Sequence, residues 1–231
     1  MTHTSSIVLL LALLSAPEGK PTGEEVLQKV VDRFSAIRDY TVTLNIVAAI
    51  ERLNVPPMQM TLYYKQPDRF HFDSNGFALL PRDGMALNPA RFLSRYTVIA
   101  SGNDSVNGKR CTRLTLQPNA EKDKLRIVFL FIDPDRSTIE QIAAPLFDGR
   151  TMTAVFQHQQ QSGHWMPSRT TVTFASTEED TTETSPYDQT SPVQTPRLPR
   201  TGTISIQYSG YRINTGLADD VFEKNNQPSK E

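Results

Sequence analysis

Apolar and polar residues alternate strictly on both sides of the stretch YYKQPDRFHF, Tyr63 to Phe72. Before the turn, Met58, Met60, Leu62 and Tyr64 alternate with Gln59, Thr61, Tyr63 and Lys65; after it, Phe70 and Phe72 alternate with Arg69, His71 and Asp73. A period of two predicts two half-buried strands. Gln66-Pro67-Asp68-Arg69 joins them, with φ of Pro67 preset for a turn and Asp68 able to bond nearby backbone. The expected loop is longer than two residues, because type I turns match hairpin twist poorly.

The period changes upstream. Val26, Leu27, Val30, Val31, Phe34 and Ile37 recur at helical spacing behind the capping box Thr22-Gly23-Glu24-Glu25, which predicts an amphipathic helix from Gly23 to about Arg38. From Tyr40 to Ile50 the alternation returns, with Tyr40, Val42, Leu44, Ile46, Ala48 and Ile50 on one side. Val55-Pro56-Pro57 ends that first long strand. Seven further strands are predicted at Tyr96–Ala100, Cys111–Leu116, Leu125–Ile132, Ile139–Ala143, Thr151–His158, Met166–Phe174 and Thr203–Tyr211, with turns at Asn107-Gly108, Pro134-Asp135 and Asp148-Gly149. Nearly ten consecutive strands on short connections predict a mainly β fold: one strongly curved antiparallel sheet, an incomplete barrel closed by the first helix and a lid segment.

Three stretches break the pattern. Ile7 to Leu14 is too short an apolar run to span a bilayer and suits the core of a secretory signal over residues 1–20; the alternative is a disordered leader. Asn75 to Arg95 is irregular and apolar, and reads equally as a lid or a packed crossover; within it Asn88 caps a short helix starting at Pro89 and carrying Phe92 and Leu93. Ser176 to Arg200, rich in Thr, Ser, Pro and acids such as Glu178, Glu179, Asp180 and Glu183, reads as a disordered insertion or a docking site for a basic partner. Residues 21–226 then form a single domain, and 227–231 a flexible tail.

The 231 residues carry 24 Lys plus Arg against 25 Asp plus Glu, so no global field favours nucleic acid or an anionic membrane. The single cysteine, Cys111, excludes an intrachain disulfide and a thiolate metal cluster, and reads as a small apolar strand residue. The histidines are His3, His71, His158 and His164; no HExxH, GxSxG or Gly-rich phosphate loop occurs, and the pair at 158 and 164 lacks an acid nearby in sequence to complete a metal site. Asp133, Asp135 and Asp148 have structural reasons to sit at turns. No catalytic residue, metal or cofactor is expected.

The order of helix, long strands, YYKQPDRFHF, YTVIASGNDSVNGKRCTRLTLQP, IVFLFIDPDRSTIEQIAA, DGRTMTAVFQ with GHWMPSR, and ISIQYSGYRINTGLADDVFEK resembles the outer-membrane lipoprotein-sorting (LolA-like) family over Gly23 to Lys224. From Tyr96 to Phe156 it is also similar to RseB-type periplasmic regulators. The resemblance implies a hollow that holds acyl chains of a lipoprotein or lipid in the periplasm, loaded by an inner-membrane ABC transporter complex and unloaded to an outer-membrane receptor. Leu44, Ile46, Met60, Leu62, Phe70, Phe72, Phe129, Phe131 and Phe156 are the candidate cavity residues; the same side chains fit a solid core equally well. Trp165 reads as packing at a strand start, with a rim contact to cargo as the lesser alternative. The family's strand pair after the hairpin is replaced by Asn75 to Arg95, and no latch role transfers to Arg69, Arg82 or Arg91. A monomeric carrier is expected; a non-enzymatic sensor binding a protein partner is the competing class, disfavoured because no second domain follows the last strand, and a filled structural protein is the third.

Overall fold

The computed structural model describes residues 20–74, 88–120, 127–145, 150–176 and 201–223. The expected secretory signal, the lid stretch 75–87, the turn at Asp148-Gly149, most of the acidic insertion and the tail lie outside the described residues.

Helix α1 (Gly23–Ser35) starts where the capping box places it. The Thr22 hydroxyl accepts from the Glu25 amide at 3.2 Å, and the Glu25 carboxylate accepts from the Thr22 amide at 2.8 Å. It ends three residues before the expected Arg38: Ile37 is buried as foreseen, but on a turn where its amide bonds the Phe34 carbonyl. Ten strands follow: β1 (Asp39–Ile50), β2 (Met58–Lys65), β3 (Arg69–Ser74), β4 (Tyr96–Val106), β5 (Lys109–Pro118), β6 (Val128–Asp133), β7 (Thr138–Pro145), β8 (Arg150–Gln161), β9 (His164–Ser176) and β10 (Thr201–Ile213). Short helix α2 (Ala90–Arg95) precedes β4, and α3 (Asp220–Glu223) follows β10.

The strands form one antiparallel sheet in the order β3-β2-β1-β10-β9-β8-β7-β6-β5-β4. The sheet does not close, since β3 and β4 are its two edges, so the incomplete barrel is the architecture and a closed barrel is not. The β2–β3 turn has three residues between the paired Lys65 and Arg69, longer than two as expected, and the Gln66–Pro67 peptide is cis. Asn107-Gly108 forms the foreseen hairpin with φ of 50° and 78°, values that suit a type I′ turn. Ser162-Gly163 does the same between β8 and β9, at 48° and 81°.

Most strands run longer than the alternation indicated. Strand β4 continues from Ala100 to Val106 through exposed Ser101, Gly102 and Asn103, held by its ladder to β5 rather than by burial. Strand β6 is shorter and starts at Val128, while 121–126 lie outside the described residues.

Curvature follows from how far α1 reaches. At its start, a side chain on Gly23 would strike Val98 of β4 and Leu114 of β5; near its end, the Phe34 ring lies 5.4 Å from that of Tyr64 on β2. Strands β5 and β2 are seven steps apart in the sheet, ~34 Å if it were flat. Thirteen helical residues span only ~20 Å. The sheet therefore curls around α1. Its inner face carries two separate apolar clusters. One joins Ile37 to β1, β2, β9 and β10 through Tyr40, Val42, Leu44, Ile46, Met60, Leu62, Tyr64, Met166, Ile206 and Tyr208. The other joins Val26, Leu27 and Val30 of α1 to β5, β6, β7 and β8.

A candidate ligand cavity between the two clusters

A cavity opens where the clusters part, beneath the second half of α1. Val30, Arg33 and Phe34 of α1 and the following Ile37 form its roof; Tyr40, Tyr208 and Tyr211 of β1 and β10 form one wall. Thr138 and Ile139 of β7 with Ser137 before them, Phe156 and His158 of β8, and His164 to Pro167 of β9 form the other, and Pro89 lies over it just before α2. The space open to the centres of water molecules is about 80 Å³; the empty volume, counting the cleft that leads out to solvent, is about 820 Å³.

The tyrosine wall is a set of neighbouring rings. Tyr40 lies 5.1 Å from Tyr64 and 6.0 Å from Tyr211, and Tyr211 stacks on Tyr208 at 6.4 Å. Tyr208 shares a hydrogen bond with Thr170 at 3.0 Å, and Tyr211 donates to the Pro167 carbonyl at 2.8 Å. Burial pushes the Tyr40 and Tyr211 phenols far above their ordinary range, so both stay neutral.

The opposite wall is charged behind its surface. Alternation breaks on β7, where Thr138, Ile139 and Glu140 are buried in succession. Glu140 is the extra residue of a bulge, because Phe131 pairs with Gln141 and Ile132 with Ile139. A second bulge on β9 leaves Ser168 between the pairings of Gln157 with Arg169 and His158 with Pro167. Between these irregularities His158 Nδ1 comes within 3.4 Å of Glu140 Oε1, close enough to couple by charge though not aligned for a hydrogen bond.

Thr138 donates to Glu140 at 2.7 Å, and Lys109 Nζ bridges Glu140 Oε2 at 3.1 Å and Asp133 Oδ2 at 2.7 Å. Burial alone would raise the Glu140 carboxyl, but His158, Thr138 and Lys109 outweigh it and hold it at about 2. Asp133 is lowered too: burial is overcome by Lys109 and by the amides of Arg136 and Asp135, at 3.1 and 2.8 Å. At the mouth, the Arg136 guanidinium lies 4.3 Å over the Trp165 ring. Arg33 donates to the Arg136 carbonyl.

Of the nine candidate cavity residues, Phe156 alone lines this space. Leu44, Ile46, Met60 and Leu62 are buried in the cluster beside it, with Phe70 and Phe72 packed against them on the same face. Phe129 and Phe131 alternate with Val128, Leu130 and Ile132, which are the residues of β6 turned inward. Both aromatics therefore sit on the outer face, where Phe129 pairs with Thr115 and Ala143.

Residue reading by sequence missed the acid beside His158. Glu140 lies eighteen positions away and reaches His158 through two bulges, for which the chain carries no local signal. It also missed the roof residues Arg33 and Phe34 as lining. Trp165 stands at a strand start as expected and lines the cavity as well. Cys111 is buried, and burial raises its thiol, which fits the packing role. Among the described residues no group of three His, Cys, Asp or Glu side chains is placed to hold a metal ion.

The stretch before β4 is tied to the β2–β3 turn. Asn88 donates to the Pro67 carbonyl at 3.0 Å and to Asp68 at 3.1 Å, and accepts from the Ala90 amide at 3.0 Å. The short helix thus starts one residue later than expected, with Asn88 still satisfying its first amide. Arg91 pairs with Asp68 at 2.9 Å and lies 5.7 Å over the Phe70 ring.

No protein-family model matches the sequence, and no curated relative does. Solved structures do match. A domain assigned to outer membrane lipoprotein sorting, from Vibrio parahaemolyticus, is similar at 12% identity with a TM-score of 0.64, over 87% of this chain and 96% of that one. A DUF1329 family protein from Desulfovibrio piger is similar at 14% identity with a TM-score of 0.61, over 87% and 95%. A LolA superfamily protein from Nitrosomonas europaea is similar at 12% identity with a TM-score of 0.53, over 88% and 98%. At these identities the likeness is one of fold, and the fold is LolA-like.

Proposed function

We propose that this chain is a carrier or binder of acyl-chain cargo, a lipid or the lipid anchor of a lipoprotein, acting in the periplasm after export on an N-terminal signal, as a single domain and without catalysis. The observation that carries the reading is the cavity between two apolar clusters, under the helix of an unclosed LolA-like sheet. A globular interior normally packs without such a gap. Its roof and strands offer Val30, Phe34, Ile37, Ile139, Phe156 and Met166 to hydrocarbon.

The physics of the cargo sets the requirement. Each methylene withdrawn from water contributes about 0.8 kcal/mol, so an acyl chain leaves a membrane only for a comparably apolar space. An unclosed sheet supplies that space with an open side. An inner-membrane ABC transporter complex and an outer-membrane receptor are the partners such a carrier would require.

The test is to purify the mature protein from the envelope of its own host under native conditions, extract it with solvent and count acyl-bearing species per protein by mass spectrometry. Near-stoichiometric lipid or lipopeptide, depleted in Phe34→Glu, is the expected result. A protein that emerges empty would overturn the reading.

A further inference from the structure

We infer that the ligand of this cavity is a single-chain amphiphile with a carboxylate head, the head received by Arg33 at the mouth and the chain directed beneath α1. This rests on the acyl-binding reading above and narrows it to one ligand class.

The lining offers both polar and apolar groups. Arg33, Ser137, Thr138, His158 and His164 are its polar side chains beside the tyrosine wall, with Arg33 bonded to the Arg136 carbonyl and Arg136 in turn over Trp165. Val30, Phe34, Ile37, Phe156 and Met166 are among its apolar ones. A ligand that satisfies both kinds of group is amphiphilic.

The sign of the head follows from which charges already have partners. Asp133 is paired by Lys109 at 2.7 Å and neighboured by Arg136 at 3.7 Å. Glu140 is paired by Lys109 at 3.1 Å and coupled to His158. Among the described residues Arg33 has no carboxylate partner; one N–H goes to a backbone carbonyl, and the other donors of its fork stay free for a planar anion. A carboxylate matches that fork and needs little room. Size limits the rest: the enclosed space of about 80 Å³ is well below the about 300–1,000 Å³ of a pocket for one small ligand, so several acyl chains side by side do not fit and a single chain would lie partly along the open cleft.

The protein provides its own reporter, since Trp165 is its one tryptophan and lies at the mouth. Hexadecanoate, hexadecanol and a two-chain phosphatidylglycerol would each be titrated below their aggregation concentrations into the whole protein, following Trp165 emission. The expected result is saturable binding of hexadecanoate, roughly three- to tenfold tighter than hexadecanol, with the two-chain lipid weakest. Arg33→Gln should weaken hexadecanoate several-fold more than hexadecanol and so remove the preference for the acid, while Arg33→Lys should retain most of it. Far-UV circular dichroism should show both variants folded, because Arg33 is exposed on α1.

Equal affinity for acid and alcohol, an equal loss of both in Arg33→Gln, or tightest binding of the two-chain lipid would overturn the assignment and leave acyl binding standing. Failure of all three to bind would sink this inference together with the reading on which it rests.

Discussion

Among the described residues Lys109 is the one cation that bridges Asp133 and Glu140, and replacing it by methionine tests whether the charged wall of the cavity is held as described. The carboxylates have side chains 3% and 9% exposed, so Lys109→Met leaves two acids in poor contact with water. Removing one partner of a buried pair costs about 3–5 kcal/mol. Here Lys109 is itself 34% exposed, and Arg136 and His158 remain nearby, so about 2–3 kcal/mol is expected at pH 7.

The dependence on pH should change sign. In the parent protein Glu140 is held at about 2, below its ordinary 4.5, so its contribution is complete above 4.5 and is lost as pH falls from there toward 2. In the variant, Asp133 loses its main counterweight to burial, whereas Glu140 keeps His158 and Thr138 and loses only a lesser one; the Asp133 carboxyl rises most, and stability should then increase as pH falls from 7 toward 5, where protonation of the folded state relieves the penalty. Urea unfolding followed by Trp165 emission at pH 7 and pH 5 measures both quantities. A further Glu140→Gln change should restore part of the loss at pH 7. A variant with parental stability and a parental pH profile would refute the account.

The remaining predictions concern the frame around the cavity. Thr22→Ala should lose about 1 kcal/mol in thermal or urea unfolding, because the Glu25 amide at the start of α1 loses its hydroxyl acceptor. Gly202→Ala would drive a methyl group into the Phe174 ring and should cost about 1–3 kcal/mol, with the loss recovered when Phe174 is also changed to leucine. Asp68→Asn removes the charge that Arg91 grips at the surface; it should change stability by less than about 1 kcal/mol, yet increase quenching of Trp165 by acrylamide if the segment carrying Pro89 then lifts from the cavity.

What the sequence disclosed was what neighbouring residues decide between themselves. The capping box, the three-residue turn at Pro67 and the Asn107-Gly108 hairpin depend on residues within four positions of one another, and each formed as read. Strand β4 was underestimated because Ser101 to Asn103 are exposed and show no alternation; only the ladder with β5 makes them strand. Strand β6 is apolar on both faces, so periodicity could not say which half faced inward, and Phe129 and Phe131 were placed on the wrong side. Whether Leu44 or Leu62 lines a hollow or fills a core lay equally beyond it, since burial has the same sequence signature in both cases.

The position of the cavity follows from the same frame. Two clusters form on one sheet because the inner residues of β1 and β2 lie far from those of β5 and β6, and α1 is the element that meets both. Its first turns, Val26 and Leu27, are committed to the second cluster, while Phe34 and Ile37 pack on the first. Val30 stands where the helix passes from one to the other, and that is where the space opens. An edge-free barrel would fix the distance between the clusters through backbone ladders alone. Here the sheet is open at β3 and β4, so the gap is set by how α1 seats and by the Asn88 and Arg91 ties to the β2–β3 turn. Shifting these few contacts would widen the gap and leave every strand pairing intact, which is the movement the proposed carrier would need.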